Sequence, residues 1–190
     1  RSYFFFIFNL CFIKKVKVIF FHKYLTSNLY KSWKFFFKIV WYIFNSSNII
    51  DLGCGKAFLI YEIKKILPNI KITGVDISEH GIDNCPNEIK QNISQLDARN
   101  KLPYVDNEFD LVISLGCFHN LRIFELKNAL SETQRVGKQG YVMLESYRNE
   151  LELFNLQCWA LTCESFFNQN EWIFIMASSD SEITRFQCSL

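Results

Sequence analysis

Ile49-Ile50-Asp51-Leu52-Gly53-Cys54-Gly55-Lys56-Ala57 is the stretch whose reading decides the fold. A short apolar run ends in an acid, passes two glycines one residue apart and leads into a helical pattern. That is a strand turning through a tight loop into a helix N-terminus. The first helical turn has unpaired N–H groups and the positive end of the dipole, so a ligand can be held there against bare backbone. Glycine serves where φ must be positive or where a side chain would block the ligand.

Downstream of this loop the pattern is regular. Asn48 to Asp51 reads as a short buried strand. Phe58 to Leu67 reads as a helix with Leu59, Ile63, Ile66 and Leu67 on one face and Glu62, Lys64 and Lys65 outside, stopped by Pro68-Asn69. Ile70 to Val75 is a second strand ending at Asp76. Ser78 can cap a helix running through His80 to Cys85, which Pro86 interrupts. Ile93 to Leu96 is a weak third strand, and Asn100 to Glu108 is a polar loop.

Phe109 to Leu115 is the clearest buried strand, Ile123 to Val136 a helix, and Tyr141 to Leu144 a fifth strand. Strands alternating with helices imply a parallel sheet with helical crossovers. Beyond Ser146, Leu151 to Phe167 reads as helical, Asn170-Glu171-Trp172 begins another helix, and Ile183 to Leu190 is a poor edge strand.

Upstream the composition changes. Residues 1–50 hold eight Lys or Arg and no acid, whereas residues 51–190 hold 13 bases and 19 acids. Residues 1–47 therefore form a basic, aromatic-rich segment ahead of a domain at 48–190, whose last part, 173–190, is the least legible. Neither apolar run in the segment reaches the roughly 18–20 residues that span a bilayer. Three readings of it stay open: a helix on an anionic membrane surface, a lid over the domain, or a segment that folds poorly. Without an RNA-binding motif, no specific nucleic-acid partner is expected. The sequence begins at Arg1 rather than Met, so a missing beginning is also open.

The chain's 190 residues suffice for one cored domain, and 49% hydrophobic with 21% charged residues suits a globular one. Seven scattered Cys with no CxxC indicate reduced thiols and a cytoplasmic setting. The three His form no HxxxH pair, so no metal site is expected.

Ligands of open α/β sheets bind beyond the carboxyl ends of the strands, where the strand order reverses. Asp76 lies 21 residues after Gly55 and can accept both hydrogen bonds of a ribose diol, or it caps the following helix. Asp97 takes an adenine amino group or is a surface acid. Asp51 braces the loop or meets a ligand's ammonium. His119, in Gly116-Cys117-Phe118-His119-Asn120, is a base or hydrogen-bond donor, or it packs against the next helix. Cys54 and Cys117 lack a neighbouring His and read as small loop residues.

Taken in order, Asp51-Leu52-Gly53-Cys54-Gly55, Gly74-Val75-Asp76-Ile77-Ser78, Phe109-Asp110-Leu111-Val112-Ile113-Ser114 with His119, and Leu130 to Val136 with Gly140-Tyr141 resemble the class I S-adenosylmethionine-dependent methyltransferases. The resemblance covers about residues 48–147, and Leu153 to Phe167 resembles the continuation in some short bacterial members. It implies a Rossmann-like, doubly wound, mostly parallel α/β sheet. The closing strands are weak or incomplete here.

It also implies that Asp51, Gly53 and Gly55 hold the methionine part of S-adenosylmethionine, Asp76 with Ile77 the ribose side, and Asp97 with Ala98 the adenine. Ser114 and Leu115 would lie beneath the cofactor, and His119 would face a small-molecule acceptor with an O or N nucleophile. Ala57 stands where the family has a third glycine. Two alternatives remain: a non-catalytic or degraded copy, membrane-associated through residues 1–47, and an NAD-dependent oxidoreductase. The latter is weakened because a GxGxxG counted from Gly53 ends on Phe58.

Overall fold

The structure, a computed structural model, describes residues 39–178 and 186–189. The readings made for residues 1–38 and 179–185 lie outside them. Residues 39–44 form a helix, α1. Then follow β1 (Asn48–Leu52), α2 (Phe58–Ile66), β2 (Lys71–Asp76), α3 (Glu79–Asp83), a 3₁₀ turn (Asn87–Asn92), β3 (Ile93–Gln95) and β4 (Leu111–Leu115). After these come a second 3₁₀ turn (Phe118–Asn120), α4 (Ile123–Val136), β5 (Gly140–Met143), α5 (Glu150–Trp159), α6 (Gln169–Ser178) and β6 (Phe186–Ser189). The six strands make one sheet in the order β3-β2-β1-β4-β5-β6, and every pairing is parallel.

A parallel sheet is covered on both faces, so its central strands are apolar on both sides. Ile49, Ile50 and Leu52 of β1 and Val112 and Ile113 of β4 are all fully buried. Successive side chains point to opposite faces. Ile50, Leu52 and Val112 pack with Leu126, Ala129 and Leu130 of α4 and Trp172 of α6. Ile49, Leu111 and Ile113 pack with Ile60 and Ile63 of α2 and Ile43 of α1. Ile43 of the aromatic-rich stretch is thus buried in the core.

The sheet's amino edge is tied down by Asp110. One of its oxygens accepts the Ser47 and Asn48 N–H groups (2.9 and 3.1 Å), and the other accepts Lys138 Nζ at 2.7 Å. The Lys138 ammonium, with these N–H donors, holds the Asp110 carboxyl below its ordinary range. The loop at 100–108 is equally fixed. Arg135 donates to the Tyr104 and Leu102 carbonyls and pairs with Glu132, which accepts Leu102 N–H at 2.8 Å.

Elements fall close to the expected bounds, with one correction. The helix expected over Leu151 to Phe167 ends at Trp159. The residues after it are drawn away by long-range hydrogen bonds: Glu164 and Ser165 both donate their N–H to the His119 carbonyl, each at 3.0 Å. Within this stretch Leu156 and Ala160 are buried, while Trp159 stays exposed. The poor edge strand is real as β6, and it lies parallel on β5. Among the described residues, no helix is long and apolar enough to cross a membrane.

Candidate active site at the strand-order reversal

β1 and β4 are neighbours, and the chain proceeds outward from them in both directions. The crevice at their carboxyl ends lies between the Gly53–Ala57 loop and the Gly116–Asn120 loop. The first loop is bound to β2. Gly53 and Cys54 donate N–H groups to the Val75 carbonyl (2.8 and 3.1 Å), and Gly55 donates to Asp76 Oδ2 at 2.6 Å. Gly53, Gly55 and Ala57 all have positive φ, at 79°, 54° and 55°.

The two glycines differ in what surrounds them. A Cβ on Gly53 would sit 2.2 Å from Cys117 Sγ, so the two loops interlock there. A Cβ on Gly55 would meet nothing within 4 Å, which leaves an open approach to the backbone. Gly81 of α3 closes the loop's far side, since a Cβ there would lie 3.1 Å from the Gly55 carbonyl oxygen.

Asp51 is 3% exposed beneath this loop. The loop's N–H donors at 53–55 go to β2 and not to Asp51. Burial first, and the Asp76 charge second, push the Asp51 carboxyl up to about 7. A cation placed beside it would reverse both effects. Asp76 Oδ1 accepts the Ser78 N–H at 2.8 Å, and Ser78 in turn caps α3 through Gly81 N–H at 3.1 Å. Each Asp76 oxygen therefore accepts one backbone N–H and keeps further acceptor capacity. Ile77 beside it is 56% exposed, an uncovered apolar surface.

Asp97 is placed differently. Its carboxylate takes the Arg99 guanidinium in a fork, with contacts of 2.9 to 3.1 Å, together with the Arg99 N–H at 2.9 Å. Arg99 also reaches Glu125 at 2.8 Å. This pairing holds the Asp97 carboxyl low. Ala98 packs against the core, and Leu115 is partly buried. Ser114 is fully buried and donates its hydroxyl to the Leu52 carbonyl at 2.9 Å, which joins the ends of β4 and β1.

His119 is 6% exposed, and its Nδ1 has no hydrogen-bond partner. Burial lowers its pKa from the ordinary 6.5, so the ring is neutral at pH 7. Cys54 and Cys117 are shifted the other way by burial, the latter to about 12, which makes both inert thiols. Sequence reasoning missed the Cys117–Gly53 interlock, the Arg99 fork on Asp97 and the return strap at 160–168 that meets His119. All three join residues through space, and only the paired charges Asp97 and Arg99 were near enough in sequence to suggest themselves.

A sequence profile for a methyltransferase domain matches residues 43–187. The chain belongs to that methyltransferase domain family. Family and fold together place it among the class I S-adenosylmethionine-dependent methyltransferases, and they imply S-adenosylmethionine as its cofactor.

The domain is similar to two curated relatives. The mitochondrial arginine-hydroxylase NDUFAF5 of Rattus norvegicus is 28% identical over 109 residues, 57% of this chain and 31% of the relative. The ribosomal RNA small subunit methyltransferase C of Haemophilus influenzae (strain PittEE) is 32% identical over 74 residues, 38% of this chain and 22% of the relative. The aligned part thus spans under a third of either relative's length. Among solved structures, a SAM-dependent methyltransferase from Archaeoglobus fulgidus shares the fold. Its TM-score is 0.63 at 21% identity, covering 80% of this chain and 68% of that one.

Proposed function

We propose that this methyltransferase domain moves the methyl group of S-adenosylmethionine to an O or N nucleophile of a small-molecule acceptor, with His119 as the base. The observation that carries the reading is the buried, neutral His119 with an unfilled hydrogen-bonding position at Nδ1, two residues from the loop contact with Gly53. With its proton on Nε2, the ring presents an Nδ1 lone pair suited to a proton leaving an acceptor.

The cofactor fits the other residues. Gly55 leaves the backbone open to the methionine part, and Gly53 shapes the loop. Asp51, poised near neutrality, suits the cofactor's cationic groups. Asp76 keeps acceptor capacity for the ribose, and exposed Ile77 offers an apolar face to the purine side. Ser114 and Leu115 form the floor through their backbone. Asp97 is the weakest assignment, because Arg99 already engages its carboxylate; with Ala98 it is assigned to the adenine rim. When bound, S-adenosylmethionine supplies an electrophilic methyl group, so the protein chiefly aligns the acceptor and excludes water.

One relative's name favours a second reading, an RNA acceptor. Charge argues against it. From 145 to 178, the acids Glu145, Glu150, Glu152, Glu164 and Glu171 face a single base, Arg148. Phosphate binding needs the opposite balance.

Because another relative is named a hydroxylase, binding and methyl transfer need separate readouts. Purified protein is titrated with S-adenosylmethionine, S-adenosylhomocysteine and NAD, then assayed with labelled methyl donor against small-molecule and RNA nucleophiles. Intact secondary structure without binding of either methyl-cycle compound sinks the proposal in favour of a non-catalytic copy. The division at residue 47, the cytoplasmic setting and peripheral membrane contact through residues 1–47 belong to the same proposal. Flotation with anionic liposomes tests the last.

A further inference from the structure

His119 stands on a three-residue 3₁₀ turn, Phe118–Asn120. Such turns are short and poorly bonded, and do not by themselves fix a side chain. The turn's own backbone bonds are local: Asn120 N–H to the Cys117 carbonyl at 3.0 Å and Leu121 N–H to the Phe118 carbonyl at 3.1 Å. From outside it is held by Phe118, fully buried in the core, and by the strap that follows α5.

The last two residues of the turn and the one that follows it are each gripped by that strap. The His119 carbonyl accepts the N–H groups of Glu164 and Ser165, both at 3.0 Å. The Asn120 side-chain oxygen accepts the Thr162 hydroxyl at 2.9 Å. The Leu121 carbonyl accepts the Ser165 hydroxyl at 2.5 Å. Ser165 therefore bonds the turn at its middle and just past its end, and it is 2% exposed. The charged groups flanking this contact, Arg122 of the turn's exit and Glu164 of the strap, face each other at 3.8 Å. Burial alone accounts for the lowered pKa of His119.

We infer that Ser165, with Thr162 in support, is a positioning residue that holds the His119 ring in its buried place beside the Gly53–Cys117 contact. The strap converts a marginal turn into a fixed one. It also joins the ring to α5, whose Leu151 and Phe154 are 70% and 61% exposed on the same excursion from the sheet. The importance of this placement rests on the reading of His119 as the base, but the placement itself is measurable without an acceptor.

The experiment compares the full chain with Ser165→Ala and Thr162→Val by NMR titration of the His119 imidazole and by hydrogen exchange at residues 118–121. The expected result is a His119 midpoint rising toward 6.5 in Ser165→Ala, with exchange of the turn amides at least about tenfold faster and a smaller change of the same sign in Thr162→Val. S-adenosylhomocysteine affinity stays within about twofold in both. Thr162 is exposed, so its variant decides the matter if Ser165→Ala does not fold. An unchanged midpoint and unchanged exchange in the folded variants overturn the inference. If the unsubstituted protein binds no S-adenosylhomocysteine, the functional reading fails, while the titration still decides the positioning role.

Discussion

Gly53 and Cys117 interlock: a methyl group on the glycine would fall 2.2 Å from the cysteine sulfur. The contact joins the loops after β1 and β4 at the mouth of the crevice. Gly53→Ala combines this clash with a φ of 79°, so a loss of about 2–4 kcal/mol in denaturant stability is expected. Because Cys117 Cβ would also lie only 2.5 Å away, Cys117→Gly rather than Cys117→Ala recovers the part due to the clash and leaves the backbone strain. A double-mutant cycle with no recovery would show that the interlock carries none of the cost.

Gly55 gives the opposite pattern. Its φ of 54° matches the 55° of Ala57, so an alanine is already accommodated in that conformation two residues away. With nothing near its Cβ, Gly55→Ala costs about 1 kcal/mol of stability. The new methyl group intrudes on the open approach, and S-adenosylmethionine affinity falls at least about tenfold. Calorimetric titration checks this, and unchanged affinity would remove the cradle from the site.

Asp51 links cofactor binding to pH. Its carboxyl stands near 7 in the free protein, raised by burial and by Asp76. A cationic ligand draws it down, so binding releases a proton and tightens as pH rises from 6 to 8. The heat of binding then varies with the ionisation heat of the buffer. Stability runs the other way. An acid raised in the folded state contributes fully below its unfolded value of 3.8, and that contribution is lost as pH rises through about 7. Asp51→Asn is expected to be more stable than the parent at pH 8, by on the order of 1–3 kcal/mol, and unable to bind the cofactor.

As the proposed base, His119 is expected to set the acid limb of turnover. Its pKa is below 6.5 because burial disfavours the charged ring. With an acceptor in hand, kcat rises with pH through that lowered value and is flat at neutrality. His119→Gln abolishes the limb and lowers kcat by about 100-fold or more, with cofactor affinity preserved. A limb that survives the substitution assigns the titration elsewhere.

Asp76→Ala removes the acceptor for Gly55 and Ser78 N–H groups as well as any ribose contact. Cofactor binding is expected to disappear, with a loss of roughly 1–3 kcal/mol in stability. Unchanged affinity rejects the ribose role.

The sheet was legible because its strands are apolar on both faces and end in punctuation. Ile49-Ile50-Asp51-Leu52 and Leu111 to Leu115 are runs that only a doubly covered sheet explains, and Ser78 caps α3 as its chemistry requires. The glycine loop was legible as a loop, and its neighbours were not. Cys117 reads as any small residue until it is placed against Gly53, and Asp97 looks available until Arg99 is folded onto it. The early end of α5 was illegible for the same reason. No Pro or Gly stops the helix after Trp159, and bonds to a turn some 45 residues earlier do so instead.

Asp110 gives the sheet an anchored end and a working end. At the amino edge one carboxylate fastens the start of β1 and the residue leading into β5. Four left-handed residues, Gly53, Gly55, Ala57 and Gly116, and the unpartnered His119 Nδ1 lie at the other edge. With one end fastened in this way, substitutions in the loops of the other end are expected to leave the register of the strands intact.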